Sequence, residues 1–103
     1  MTQQEIQQLA RNKAKQSICR CKIAAIGLNL KGEVVARTTN KPGYKSAPGR
    51  GLHAEAQLLR ISKKKGIKTI FICRINRTGN FLPIRPCKNC KRYADKLNVK
   101  IIY

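Results

Sequence analysis

Apolar residues at Ile6, Leu9, Ala10 and Ala14 recur three and four positions apart, which predicts a helix over 2–14 with one narrow apolar face. Thr2 and Glu5 stand at capping-box spacing, where hydroxyl and carboxylate satisfy the exposed amides of a first turn reciprocally. From 18 the period changes. Residues 18–30 read as a strand, with Cys19, Cys21, Ile23 and Ala25 on one side and Ile18, Ala24, Ile26 and Leu28 on the other. Both sides of its second half are apolar, so it is expected to be buried on both faces. Asn29-Leu30-Lys31-Gly32 turns the chain, and 33–39, with Val34 and Val35, completes a hairpin.

Residues 40–52 hold Gly43, Gly49 and Gly51 among Lys, Pro, Ser and Arg, and read as a loop. A helical stripe of Ala54, Leu58, Leu59 and Ile61 follows over 53–65, stopped by Lys63-Lys64-Lys65-Gly66, whose cations suit the negative end of a helix dipole. The Ile-rich run 67–75 reads as a buried strand that closes a βαβ crossover. A loop over 76–85 turns at Thr78-Gly79-Asn80 and carries Phe81, Leu82 and Ile84, two of which are assigned to the core. Pro86 opens a helix over 87–97, Asn98 ends it, and 99–103 form a last strand. The order α, β, β, α, β, α, β predicts an α/β protein: a three-layer α/β/α sandwich around a mixed sheet of about four strands, one domain over 1–103.

Composition narrows what can surround those elements. The apolar runs are too short for a membrane span and the polar opening 1–8 lacks the apolar segment of a signal peptide, so no membrane partner and a cytoplasmic location are expected. Five Cys, an odd number, argue against a disulfide framework and for a reducing compartment. Charge changes the picture most. Lys and Arg total 23 against four acids, a formal +19 over 103 residues, which favours polyanionic partners through counterion release.

The candidate chemistry lies in two short motifs, His53-Ala54-Glu55 and Pro86-Cys87-Lys88-Asn89-Cys90. One imidazole and two thiolates, His53, Cys87 and Cys90, are three good ligands for Zn2+, and a three-ligand site keeps a position open for water. Glu55 is too close to His53 along the chain to be an easy fourth ligand, yet can reach a water at the metal and carry its proton. Cys87 and Cys90 lie three apart at a helix start, where the dipole lowers a thiol pKa. Cys19, Cys21 and Cys73 read as buried structural thiols. The loop 40–52 runs straight into His53 and carries Asn40, Lys41, Tyr44, Lys45 and Arg50, which suit a phosphorylated ligand with a flat ring.

His-x-Glu followed by Pro-Cys-x-x-Cys resembles the cytidine and deoxycytidylate deaminase superfamily of zinc nucleobase deaminases, over nearly the whole chain. The run 75–90 and the ending Lys100-Ile101-Ile102-Tyr103 are most similar to short deaminase-like proteins often found in viruses. Members usually continue to a fifth strand and a further helix. The resemblance implies zinc on His53, Cys87 and Cys90, with Glu55 as proton shuttle. It also implies a base carbonyl bound by the Ala54 amide, an amino group received by the Arg85 carbonyl, and a sugar contact from Asn40. Cytosine becomes uracil. Two readings remain: this hydrolase, or a non-catalytic module in which zinc stabilises a basic nucleic-acid-binding fold. The expected substrate is phosphate-bearing, with single-stranded nucleic acid slightly ahead of a free cytosine-containing nucleotide; a homo-oligomer stays open.

Overall fold

The computed structural model describes residues 2–18, 22–40, 54–86 and 88–103. Thr2 caps the first helix, α1 (Gln3–Ala14): its hydroxyl accepts from the Glu5 amide at 3.2 Å, and the Glu5 carboxylate accepts from the Thr2 amide at 3.3 Å. The expected capping box is therefore present. Ala10 and Ala14 are buried and Ile6 and Leu9 pack beside them, which is the narrow face the periodicity predicts.

β1 (Lys22–Leu28) lies antiparallel to β2 (Val34–Thr39) on one side and to β3 (Thr69–Ile75) on the other. Every residue of β1 has a partner in β3, from Lys22 opposite Ile75 to Leu28 opposite Thr69. Ile18, expected inside this strand, is 83% exposed and lies outside it, and Leu30 is 85% exposed in the turn. Cys19 and Cys21 lie outside the described residues.

The far edge of β3 carries two short strands. β4 (Phe81–Leu82) pairs antiparallel with Arg74 and Ile75, and β5 (Lys100–Ile102) pairs parallel with Thr69 to Phe71. The sheet thus has five strands where the sequence led us to expect about four, the extra one lying within the stretch 76–85 read as loop. The same turn builds both hairpins. The Asn29 side-chain oxygen accepts from the amides of Lys31 and Glu33, the Asn76 oxygen from those of Thr78 and Asn80, and a glycine with positive φ, Gly32 or Gly79, stands three residues after each asparagine. Asn and Gly serve here because one side chain can mimic a backbone turn and the other tolerates the left-handed region.

Alternation divides the sheet into two faces. Ala24, Ile26, Leu28, Phe71, Cys73 and Ile75 pack under α1, where the Arg11 guanidinium also stacks 4.5 Å from the centre of the Phe81 ring. Ala25, Ile70 and Ile72 point the other way, onto α2 (Ala54–Arg60) and α4 (Lys88–Leu97). The three layers expected from the element order are present. The helix expected over 53–65 is broken: α2 ends at Arg60 and a single turn, α3 (Ser62–Lys65), follows. Ser62 causes part of this break, because its buried hydroxyl donates to the Leu59 carbonyl at 2.8 Å and competes with the helical ladder. Gly66, left-handed at φ 69, then stops the chain as predicted.

Candidate active site

The element order brings the N-termini of α2 and α4 to one end of the sheet. β2 and β3 are both antiparallel to β1, so the chain leaves β2 at Asn40 and reaches β4 from β3 at that same end, the end where β1 begins. α2 starts there with Ala54 and Glu55, and α4 with Lys88 after Pro86.

Glu55 is 5% exposed and shares one side of α2 with buried Leu58 and Leu59, three and four positions on. A carboxylate on an apolar stripe is expensive unless its surroundings engage it. Packing alone would place a leucine there. Its position in the first turn also suits the positive end of the helix dipole. On α4, Cys90 and Ala94 form the buried side, and both join Ala54, Leu58 and Leu59 in one core cluster. Cys90 therefore faces the helix that carries Glu55, one turn into α4. Buried Glu55 near the start of α2 and buried Cys90 near the start of α4, on two helices joined in one core cluster, are a local arrangement on which metal chemistry can be built.

His53, Cys87 and Tyr44 lie outside the described residues. His53 adjoins Ala54, fully buried at the start of α2; Cys87 adjoins Lys88, three residues before Cys90. A donor set of one His and two Cys suits zinc by its softness and charge. Arg85 is exposed in the segment between β4 and α4.

Asn40 has a structural task that the sequence did not disclose. Its side-chain oxygen accepts from the Ser17 hydroxyl at 2.8 Å and from the Ile23 amide at 3.1 Å, while its own amide donates to the Ile23 carbonyl. The residue is pinned between the end of β2 and the segment entering β1. Gln57 was missed altogether. It accepts from the Thr38 hydroxyl and donates to the Thr39 carbonyl, both at 2.6 Å, and so ties the second turn of α2 to the end of β2. A polar residue two positions after Glu55 on a short helix was the available signal. Together Asn40 and Gln57 fix where α2 begins.

On the opposite face, Cys73 is buried as expected of a structural thiol, and burial pushes its pKa up to about 11 against the partial opposition of the Ala24 backbone and Arg11. That thiol stays protonated and inert at neutral pH.

Solved structures with this architecture decide the fold. The chain is similar to a cytidine deaminase from Burkholderia pseudomallei, with a TM-score of 0.73 over 98% of this chain and 83% of that one, at 17% identity. The fold is that of the cytidine deaminases. A cytidine deaminase from Mycobacterium leprae matches with a TM-score of 0.66 over 98% of this chain and 87% of that one, at 16% identity. One from Mycobacterium tuberculosis matches with a TM-score of 0.64 over the whole of this chain and 86% of the other, at 18% identity. At the level of sequence, no family model and no curated protein matches the chain. The cytidine deaminase fold is thus reached here at 16–18% identity to these neighbours. Among the described residues, no helix is long and apolar enough to cross a membrane.

Proposed function

We propose that this chain is a zinc-dependent hydrolase that converts cytosine to uracil in a phosphate-bearing substrate. The observation that carries the reading is the burial of Glu55 in the first turn of α2, a helix whose apolar residues share one core cluster with Cys90 of α4. Structural neighbours named as cytidine deaminases support it.

In this proposal His53, Cys87 and Cys90 hold the zinc. When bound, zinc supplies Lewis acidity that brings the pKa of water to about 7. Glu55 does the proton work: it takes a proton from the attacking water and delivers it to the ring nitrogen, then takes the proton of the new C4 hydroxyl as the carbonyl forms and passes it to the departing amine. Water adds at C4, ammonia leaves, and uracil remains. Burial of Glu55 keeps bulk water from competing for those protons. The Ala54 amide, at the start of α2, binds the base carbonyl, the Arg85 carbonyl receives the amino group, and Asn40 contacts the sugar. The hydrogen bonds that pin Asn40 give that contact a fixed starting point.

Single-stranded nucleic acid stands slightly ahead of a free deoxycytidine nucleotide as substrate. Exposed Arg77, Arg85, Lys88, Lys91 and Arg92 lie at the end of the sheet where α2 and α4 begin, more cations than one phosphate requires. Incubation with cytidine, dCMP, and single-stranded DNA and RNA, read by uracil formation and by zinc analysis, tests the proposal. Uracil in one of these substrates with zinc bound is the expected result. Zinc without turnover on any of them would leave the non-catalytic nucleic-acid-binding module, and no zinc would remove both.

A further inference from the structure

The end of the sheet opposite Glu55 is built from three segments that the fold brings together. The Lys68 amide donates to the Leu28 carbonyl at 2.8 Å, and the Lys100 amide donates to the Lys68 carbonyl at 2.9 Å. These bonds place the turn after β1, the exit of α3 and the entry to β5 side by side. Each segment brings cations: Lys31 from the turn, Lys63, Lys64 and Lys65 from α3, and Lys68 and Lys100 from the strand entries, all exposed, with Lys96 in the last turn of α4 beside them. Against them stand two acids, Glu33 and Asp95. Glu33 already accepts from the Asn29 side chain at 3.2 Å. None of these lysine ammonium groups has a hydrogen bond or ion pair among the described residues.

A helix dipole explains the three lysines of α3 but not those of the other segments, which reach the same surface from two strands and a turn. Like charges gathered this closely repel one another unless a polyanion neutralises them. We propose that this end of the molecule is a binding surface for the phosphate backbone of a nucleic acid, separate from the candidate active site. Between the two lie α2 and α3, with the break at Ile61.

The chemistry of the surface selects that partner. Residues 28–33, 61–69 and 95–100 contain no aromatic side chain, so bases find nothing to stack on and only phosphates are contacted. Binding is therefore indifferent to sequence. A membrane surface fits less well: Leu30 is the one strongly exposed apolar residue of these segments, and α3, Ser-Lys-Lys-Lys, has no apolar side to insert. The inference stands whether or not the chain deaminates cytosine.

Its test uses an oligothymidylate, which holds no cytosine and so keeps deamination out of the measurement. Binding is followed by fluorescence anisotropy from low to moderate salt. Each single-strand phosphate contact contributes about 0.7 to the slope of log K against log salt. The variant Lys63→Gln, Lys64→Gln, Lys65→Gln, Lys68→Gln should therefore lose about 3 from that slope, while the same four positions changed to Arg keep it. Lys31→Gln and Lys100→Gln, each alone and on other elements, should lose just under one and serve if the fourfold variant melts early. An unchanged slope in all neutral variants would overturn the proposal. So would wild-type protein that binds phosphatidylserine vesicles and ignores the oligonucleotide.

Discussion

The two faces of the sheet each bury a cysteine, and the contrast between them shows what distinguishes a site from a core. Under α1, Cys73 lies in a strand among Ile26, Phe71 and Ile75, and burial raises its pKa to about 11. Under α2 and α4, Cys90 lies in the first turn of a helix and packs in the same cluster as the helix that carries Glu55. Depth does not separate them, since one is 4% and the other 8% exposed. Position on the backbone does. At Cys73 desolvation outweighs the Ala24 backbone and Arg11, which favour the thiolate, whereas a helix N-terminus adds a field on the thiolate's side.

If that difference is functional, the largest effect should come from the acid beside Cys90. Glu55→Gln keeps shape and burial but cannot move protons, so turnover on whichever cytosine substrate is accepted should fall by about 100- to 10,000-fold with zinc content unchanged. Activity equal to wild type would take Glu55 out of the chemistry. Next come the cysteines themselves. Cys90→Ala should lose the bound zinc and lower the melting temperature, because metal-binding energy is partly folding energy. Cys73→Ala should keep the zinc and cost about 1 kcal/mol, an ordinary core truncation. Metal analysis and thermal melts on the pair would break the contrast if both variants kept zinc.

Most of the fold was legible because the apolar period changes cleanly along the chain. The 3.6-residue stripe of α1 with its Thr2 and Glu5 cap, the doubly apolar β1, and the Lys-Lys-Lys-Gly stop after α2 all appear where local rules put them. The motif residues Glu55 and Cys90 were legible from spacing, and the structure buries both. Other features depended on contacts between distant segments. Ile18 looked like strand because it is apolar, but it is 83% exposed and outside β1. β4 is two residues long, too short for any period, although the Asn-x-x-Gly shared by Asn76 and Asn29 was a signal for a second hairpin. Ser17 gave no warning, since its partner lies 23 residues away, and the polarity of Gln57 signalled a contact without naming a partner 18 residues away.

The face under α2 is closely packed at Gly27, and that position tests it. A Cβ there would meet Ile67 Cδ1 at 2.9 Å and Leu58 Cδ1 at 3.4 Å, both on the face under α2. Ile67 and Leu58 are fully buried and have little room to move. Gly27→Val should therefore push α2 off the sheet at a cost of about 1–3 kcal/mol. Because Glu55 and Cys90 depend on how α2 and α4 sit, zinc affinity should fall with stability. A chemical denaturation midpoint no lower than wild type would mean that this face is looser than the distances imply.

The smallest effect belongs to Cys73 and is read through pH. Its thiol is raised to about 11 in the folded protein from an ordinary value of 9.0. An acid that ionises later when folded than when unfolded binds its proton more tightly in the folded state. Folded and unfolded chains are both protonated below pH 9, so the group contributes no pH dependence there. Above pH 9 the unfolded chain releases the proton first, and stability falls until the folded thiol also ionises near pH 11. The loss is at most about 3 kcal/mol. The lysines deprotonate over the same range and relieve repulsion, so the wild-type curve alone would blur the effect. The difference between wild type and Cys73→Ala isolates it: the wild type's advantage, measured by urea denaturation at pH 8 and again at pH 11, should shrink. A difference that stays constant between those two pH values would mean that the thiol is not held protonated by the core, and the contrast between the two cysteines would then rest on Cys90 alone.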